Sequence, residues 1–155
     1  MQKKSTKTPT TIVNRRATFD YFLDNEITVG VALSGGETKA ARLGHVQLKG
    51  SYVTVVGDEL WLINASFSVP TGERGGGNSV ETRSRKLLAH RKQINQLIES
   101  KQQGLTIVPL KLLTKGRYVK LTIATGRGKK KYDKRDTIRK RDADIEIRRA
   151  SKADT

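Results

Sequence analysis

Runs in which apolar residues alternate one by one with polar or small residues recur from about residue 12 to residue 126. The clearest run extends from Ile27 to Leu33, with a large apolar side chain at every second position. Successive side chains of a strand point to opposite faces, so this spacing predicts strands with one buried face. Similar strand-like runs cover residues 46–48, 52–56, 60–63, 105–113 and 117–125. Gly57-Asp58 joins two of these runs, 52–56 and 60–63, and predicts a β-hairpin with a tight turn. The chain is therefore predicted to be mainly β.

Two segments have helical rather than strand spacing. The longer one is predicted to begin at Ser84, a good N-cap residue, and to end at Gly104. Within it, one helical face carries Leu87, Leu88, Ile94, Leu97 and Ile98. A second helix of about two turns is predicted over residues 37–43, before Gly44 breaks it.

About six short strands interrupted by a helix fit a small antiparallel barrel of the oligonucleotide-binding type better than a sandwich. We therefore expect a mainly β fold with one substantial helix and one or two short ones. Pro109, inside the run 105–113, predicts either an edge strand or a bulge there.

Three regions are predicted along the chain: a flexible arm over residues 1–11, a barrel over 12–126 and a basic tail over 127–155. A flexible loop is expected at 71–79, which contains three consecutive glycines. The tail has too few apolar residues to build a core, but Asp136 with Lys140 and Asp144 with Arg148 are acid-before-base pairs at helical spacing. We expect a tail that is disordered alone and helical when bound.

Charge is segregated along the chain. The 31 Lys and Arg residues outnumber the 15 Asp and Glu residues, for a formal net charge of +16, yet residues 17–82 carry more acids than bases. Segregated positive charge is typical of a protein that binds a polyanion on selected surfaces, and nucleic acid is the leading candidate. A solubilising basic face or tail is the alternative.

Residues for catalysis or metal binding are scarce. The chain has no cysteine and two histidines, His45 and His90, and no cluster of His, Asp and Glu at ligand spacing. We therefore expect neither an active site nor a cofactor or metal. No apolar run is long enough to span a membrane, and the protein is expected to be soluble and cytoplasmic.

Two basic clusters are the strongest candidates for binding nucleic acid. The first cluster surrounds the predicted start of the long helix and comprises Arg83, Arg85, Lys86, Arg91 and Lys92. The second places six basic residues among positions 127–135 together with Tyr132, which combines phosphate neutralisation with a ring that can stack on an unpaired base.

Five blocks in order carry a specific resemblance. They are Asn14-Arg15-Arg16-Ala17, residues 30–42 (GVALSGGETKAAR), residues 83–90 (RSRKLLAH), residues 104–110 (GLTIVPL) and residues 127–135 (RGKKKYDKR). Together they are similar to the motifs of the SsrA-binding protein family, also called small protein B. The resemblance implies a barrel that holds the tRNA-like domain of transfer-messenger RNA (tmRNA) and enters stalled bacterial ribosomes with it, carried by elongation factor Tu, for trans-translation.

The resemblance also implies site residues. Those expected to bind the tRNA-like domain are Asn14, Arg15, Lys39, Arg83, Arg85, Lys86 and Leu88, with a core position for Leu88 as an alternative. Those expected at the decoding site, against RNA of the small ribosomal subunit, are Arg127, Lys129, Lys130, Lys131, Tyr132, Asp133, Lys134 and Arg135. The tail helix would lie in the empty messenger channel. Ala143 stands where some members have a large apolar residue, which leaves Ile138, Ile145 and Ile147 for its grip.

Other functions remain open from the residues alone. A structural ribosomal protein with a basic extension, or a general RNA-binding protein, would have the same composition. An RNA-processing enzyme would need an acid–base pair that the sequence does not offer. We expect the protein to act as a monomer in complex with RNA.

Overall fold

The computed structural model describes residues 9–72 and 76–153, and these contain ten strands and four helices. The strands are β1 (Thr11–Val13), β2 (Tyr21–Val31), β3 (Val46–Gln47), β4 (Tyr52–Val56), β5 (Glu59–Ile63), β6 (Ser66–Pro70), β7 (Asn78–Glu81), β8 (Arg85–Leu88), β9 (Thr106–Leu113) and β10 (Lys120–Gly128). The helices are α1 (Arg15–Asp20), α2 (Gly35–Leu43), α3 (Arg91–Gln102) and α4 (Lys131–Ala153).

Seven strands form one antiparallel sheet in the order β1-β9-β10-β2-β8-β5-β4. The sheet closes into a barrel because β4, at one end of this order, also pairs with β9 at Val53 and Ile107. The prediction of a mainly antiparallel, oligonucleotide-binding-like β fold with a few helices is confirmed. The strands exceed the expected six because β1, β6, β7 and β8 were not expected from the sequence; they are only three to five residues long, and so short a run carries little alternation.

Alternate residues of the barrel strands fill its interior. Leu60, Leu62, Leu112, Leu121 and Ile123 are fully buried there. Helix α3 packs against β9 and adds Ile94 and Leu97 to the same core. The alternation in the sequence therefore reports the inner face of the barrel correctly.

A smaller antiparallel sheet, β3-β6-β7, packs against α2. Ala40 and Ala41 of α2 and Phe67 of β6 have no exposed surface. Small residues on α2 let its backbone approach the sheet closely. This layer places the first turn of α2 beside the chain that leads into β8.

The prediction of a helix from Ser84 to Gly104 is wrong for its first part. Residues Arg85–Leu88 form strand β8, which pairs with β5 on one side and β2 on the other. Arg85 and Leu87 point inward while Leu88 is 55% exposed, which is the period of a strand rather than of a helix. The helix itself begins at Arg91, where the Gln93 side chain accepts a hydrogen bond from the His90 backbone N–H at 3.0 Å. Tertiary pairing outweighs the helical spacing of Leu87 and Leu88 with the residues that follow.

The structure confirms the expected hairpin turn and one of the two alternatives for Pro109. The hairpin β4–β5 turns at Gly57 and Asp58, both with positive φ. At Pro109 the structure has the bulge and not the edge strand, because the β9–β10 register shifts there and β9 has partners on both sides.

The predicted terminal and loop segments are covered in part. Residues 1–8 of the arm and residues 73–75 of the glycine-rich loop lie outside the described residues. Thr10 is held by the backbone and hydroxyl of Thr114, and Thr11 already belongs to β1. The tail forms α4, a helix of 23 residues without a buried side chain. No described helix is both long and apolar enough to cross a membrane.

Candidate nucleic-acid interface

The first turn of α2 is built around a buried carboxylate, Glu37. The Ser34 hydroxyl accepts a hydrogen bond from the Glu37 N–H at 3.3 Å, and Glu37 Oε2 accepts one from the Ser34 N–H at 2.9 Å. This reciprocal capping box begins the helix. It also aims the Glu37 carboxylate at two arginines that enter β8.

Both arginines bind that carboxylate. Arg83 donates from Nε and Nη2 at 2.9 and 2.7 Å, and Arg85 donates from Nε at 3.0 Å. Burial on its own raises the pKa of Glu37, but the Ser34 N–H and the two guanidinium groups outweigh it and hold the pKa below its usual value. Glu37 is therefore ionised at neutral pH, as a buried counter-ion for two cations.

Arg85 corrects an expectation from the sequence, because its side chain is fully buried. Its guanidinium lies 3.9 Å from the centre of the Phe67 ring and donates to the carbonyl oxygens of Glu81, Arg83 and Ala65. Burial lowers the pKa of Arg85, and the Glu37 charge offsets part of that effect. With its donors occupied, Arg85 has no face left for a phosphate, and it acts as a structural residue.

Glu37 is the residue that the search for basic clusters missed. Its signal in the sequence is a capping pattern, Ser34-x-x-Glu37, at the start of a predicted helix. The pattern identifies the cap but gives no hint of the two arginines almost fifty residues further on. Of those two, Arg83 has a side chain that is 51% exposed, so it can present its outer edge to a ligand.

A groove of about 580 Å³ runs between β2, β8 and the start of α3. Lys86 and Leu88 line it, together with Gly30, His90 and Lys120. The Lys86 ammonium forms an ion pair with Glu59 at 2.7 Å. Leu88 is 55% exposed, so the core alternative for this residue is wrong. A Cβ atom at Gly30 would approach the Leu88 Cβ to 3.3 Å, so the glycine leaves room for the Leu88 side chain in the groove.

The remaining barrel candidates have different environments. Asn14 is buried, and its Nδ2 donates to the Pro109 carbonyl at 2.9 Å, which fixes the start of α1. Lys39 is exposed on α2. Arg15 is exposed and lies in a groove with the tail residues Ile138 and Arg141, not in the groove of Lys86 and Leu88. The barrel candidates thus belong to two neighbourhoods.

The basic segment 127–135 spans the junction of barrel and tail. Arg127 and Gly128 still belong to β10, and the next residue extends the ladder, because the Lys129 N–H donates to the Asp20 carbonyl at 2.7 Å. The Lys129 ammonium donates to the Thr18 carbonyl at 3.2 Å. The direction in which the chain leaves the barrel is therefore fixed up to Lys129.

Helix α4 starts two residues later with a local cap. Asp133 Oδ2 accepts a hydrogen bond from the Lys130 N–H at 3.2 Å, and the Lys134 N–H donates to the Lys130 carbonyl at 3.1 Å. An acid in the first turn also matches the positive end of the helix dipole. Asp133, singled out with its basic neighbours, thus has a structural role as a cap.

One carboxylate of α1 anchors the tail helix to the barrel. Asp20 forms ion pairs with Arg16 at 2.9 Å and with Lys134 at 3.1 Å. Burial raises the pKa of Asp20, but Lys134 and Arg16 outweigh that effect and lower the pKa below its usual value. Beside it, the Phe19 ring has Lys134 at 6.0 Å and Arg141 at 5.8 Å from its centre.

Several of the candidate residues in the segment 127–135 have exposed side chains. Exposed positions among the candidates are Arg127, Lys130, Lys131, Tyr132 and Arg135. Tyr132 is 60% exposed, so its ring is available for stacking.

The three tail isoleucines do not form one stripe. Ile138 and Ile145 are seven residues apart and share a helix face, whereas Ile147 lies on the opposite face. Within the described residues, the expected pairs Asp136–Lys140 and Asp144–Arg148 are not formed, and Asp136 instead lies 3.9 Å from Arg139.

Comparison with known proteins gives consistent matches over nearly the whole chain. A family model described as "SmpB protein" matches residues 11–153. An SsrA-binding protein of Lysinibacillus sphaericus is 44% identical over 141 residues, which is 90% of each chain. One of Caldicellulosiruptor bescii is 45% identical over 141 residues, 90% of this chain and 88% of the relative.

A solved structure gives the same match in three dimensions. It is described as "tmRNA-SmpB: a journey to the center of the bacterial ribosome" and is 35% identical in sequence. The superposition has a TM-score of 0.63 and covers 83% of this chain and 94% of the other.

Proposed function

The chain belongs to the SmpB protein family, and from this premise we propose that it binds the tRNA-like domain of tmRNA (SsrA RNA) and delivers it to stalled ribosomes for trans-translation. The observation that carries the proposal is the separation of two cationic surfaces. One lies on the barrel around α2 and the groove at β8, and the other begins where β10 ends and continues along α4. A protein that links a folded RNA to a ribosome needs two such surfaces.

The barrel surface is proposed to hold the tRNA-like domain. Lys39, Arg83 and Lys86 neutralise phosphates, and exposed Leu88 contacts sugar or base surface in the groove. Arg15 adds a further contact at the α1 end. Asn14 and Arg85 support the RNA-binding surface without touching RNA. Asn14 fixes the start of α1, which carries Arg15, and Arg85 binds the same Glu37 carboxylate as Arg83. The preformed Glu37 carboxylate holds the Arg83 guanidinium in place before RNA arrives, which lowers the entropy cost of binding.

The tail surface is proposed to act at the decoding site of the small subunit. Exposed cations from Arg127 to Arg135 bind ribosomal RNA phosphates, and Tyr132 stacks on an unpaired base. Helix α4 then occupies the messenger channel. Because α4 buries none of its residues, its stability in the free protein rests on local helix formation, and we propose that ribosomal RNA supplies the contacts that order it fully.

The remaining features of the proposal follow from this role. The partners are tmRNA, small-subunit RNA and the complex of tmRNA with elongation factor Tu, and the site of action is the cytoplasm. One copy of the chain acts with one RNA. The role consists of binding and positioning and needs no catalytic step or cofactor.

Deletion of residues 133–155 tests the two-surface proposal. The truncated barrel should bind the tRNA-like domain with unchanged affinity and a steep dependence on salt, because its phosphate contacts remain. Tagging on stalled ribosomes should be abolished. Equal loss of both activities would contradict the assignment of separate roles.

A structural ribosomal protein is the competing function, and stoichiometry distinguishes it. A structural protein sediments with all ribosomes after a high-salt wash. The proposed factor should instead be sub-stoichiometric and should depend on tmRNA for its association.

A further inference from the structure

We propose that the turn between β9 and β10 is an additional RNA-binding site, which stacks one unpaired nucleotide on Tyr118. The turn comprises residues 114–119 and belongs neither to the groove at β8 nor to the tail. Tyr118 is 67% exposed although Val119, next to it, is buried in the core. This inference rests on the proposed function, because it extends the RNA-binding surface of the barrel.

Hydrogen bonds from two other parts of the chain hold the turn in place. Thr114 is buried, and its hydroxyl accepts from the Thr10 N–H at 2.9 Å and donates to the Thr10 carbonyl at 2.8 Å. Arg42, in the last turn of α2, donates to the carbonyls of Gly116 and Arg117 at 3.4 and 3.1 Å. Because these hydrogen bonds clamp the turn, the Tyr118 ring is displayed on a fixed backbone. A fixed ring loses little freedom when a base stacks on it.

Two cationic residues flank Tyr118 in sequence, and the nearest acidic residues in sequence are distant. Lys115 and Arg117 are exposed in the same turn, and the Arg117 guanidinium lies 5.8 Å from the centre of the Tyr118 ring. The chain has no acidic residue between Glu99 and Asp133. Within the described residues, neither Lys115 nor Arg117 has a carboxylate partner. These charges are therefore available to a phosphate.

The position of the turn identifies the source of the nucleotide. Lys120, two residues after Tyr118, pairs with Gly30, which in turn pairs with Leu88. Lys120 also lines the groove that holds Lys86 and Leu88. An RNA chain seated in the groove reaches Tyr118 with one further nucleotide, since two residues of chain span at most about 7 Å. A ring flanked by cations is the combination that binds a single-stranded base without sequence preference.

The test compares Tyr118→Ala with Tyr118→Phe in the full chain. Affinity for a transcribed tRNA-like domain is measured at several salt concentrations. Tyr118→Ala should weaken binding about tenfold, whereas Tyr118→Phe, which keeps the stacking ring, should stay within about twofold of the original protein. Arg117→Gln should lower the salt dependence by about one phosphate contact. Val80→Ala is the control, because Val80 is similarly exposed, at 66%, in the second sheet.

The outcomes separate this inference from the proposed function. If the original protein does not bind the tRNA-like domain, the proposed function fails. If it binds and Tyr118→Ala binds equally well, this inference alone is overturned. A loss confined to association with small ribosomal subunits would assign the nucleotide to ribosomal RNA and overturn the assignment to the tRNA-like domain. Unfolding of each variant in urea should match the original, because the Tyr118 side chain supports no core contact.

Discussion

The barrel and the tail use the same residue types in opposite ways. In the barrel, Arg85 is fully buried between Glu37 and the Phe67 ring and holds three segments of chain together. In the tail, Arg135 is exposed on a helix that buries nothing. The difference teaches that positive charge in this chain is partly structural, and that only the exposed part is available to RNA.

The two regions also differ in what stabilises them. The barrel depends on contacts between residues far apart in sequence, such as Glu37 with Arg85. Helix α4 depends on local devices, such as the Asp133 cap, and on one anchor to the barrel at Asp20. Changes in the first class should unfold the protein, and changes in the second should alter the tail alone.

The largest effect is expected from Glu37→Gln. It removes the buried counter-ion of Arg85 and leaves that charge unpaired, which should reduce the free energy of unfolding by about 3–5 kcal/mol. Urea unfolding followed by Trp61 fluorescence measures it. Glu59→Gln is the matched control, because the Glu59–Lys86 pair is about half exposed and should contribute less than about 1 kcal/mol. Similar losses in both variants would contradict a structural role for the buried cluster.

Acid should destabilise the protein through two carboxylates, Glu37 in the barrel and Asp20 at the junction with the tail. The pKa values of Glu37 and Asp20 are lowered in the folded state, so the unfolded chain binds protons more readily. Their contribution is complete above the ordinary values of 4.5 for Glu37 and 3.8 for Asp20, and it is lost as pH falls below these through the folded pKa values. Stability measured from pH 7 to pH 2.5 should show this fall. In Glu37→Gln the fall should be smaller, and an unchanged profile would count against Glu37 as its main source.

A smaller effect is expected from Asp20→Asn at the junction. Loss of the charge weakens the ion pairs with Lys134 and Arg16, which are partly exposed, and should cost about 1 kcal/mol or less. Its effect on geometry should be clearer, because α4 is about 35 Å long and magnifies any change of angle at its base. The chain has no cysteine, so spin labels can be placed at Lys49→Cys and Arg148→Cys, and their distance distribution should broaden.

Asp24→Asn controls for the loss of one negative charge. Asp24 is exposed, and its carboxylate accepts from the adjacent Asn25 N–H rather than from the tail. Distances that stay equally narrow in both variants would show that Asp20 does not orient α4.

The smallest effect concerns the tail alone. A peptide of residues 127–155 should have low helicity in circular dichroism, because a lone helix of this length with many like charges is marginal in water. Asp136→Asn should destabilise the helix by only about 0.2–0.5 kcal/mol, through loss of the pair with Arg139, and the helicity should fall slightly further. A fully helical peptide would contradict the expectation that the tail folds on binding.

Much of the fold was predictable because one face of each long strand is buried. The alternation over residues 27–33, the Gly57-Asp58 turn and the bulge at Pro109 are local signals, and the structure agrees with them. The segment Arg85–Leu88 was misassigned because four residues contain both a strand period and part of a helix period. Its pairing with β2 and β5 decided the outcome.

In the candidate site, too, some features could be predicted from the sequence and others could not. Exposure of Tyr132 follows from a tail without core residues, so sequence was sufficient there. Burial of Arg85 and exposure of Leu88 could not be predicted, because which side of a strand faces inward depends on its neighbours in the sheet. Tyr118 lies in the strand-like run 117–125, but no motif or basic cluster in the sequence marked it as a binding residue.

The sequence by itself determined the β-rich fold, the membership of a family of RNA-binding factors and the segregation of charge, because periodicity, motifs and composition are properties of the chain as written. The tertiary structure alone decided which cations are free. A guanidinium stays available to RNA or becomes a part of the core according to whether the fold buries it against a carboxylate. For Arg85 that carboxylate is Glu37, which lies 48 residues away in sequence and 3.0 Å away in space.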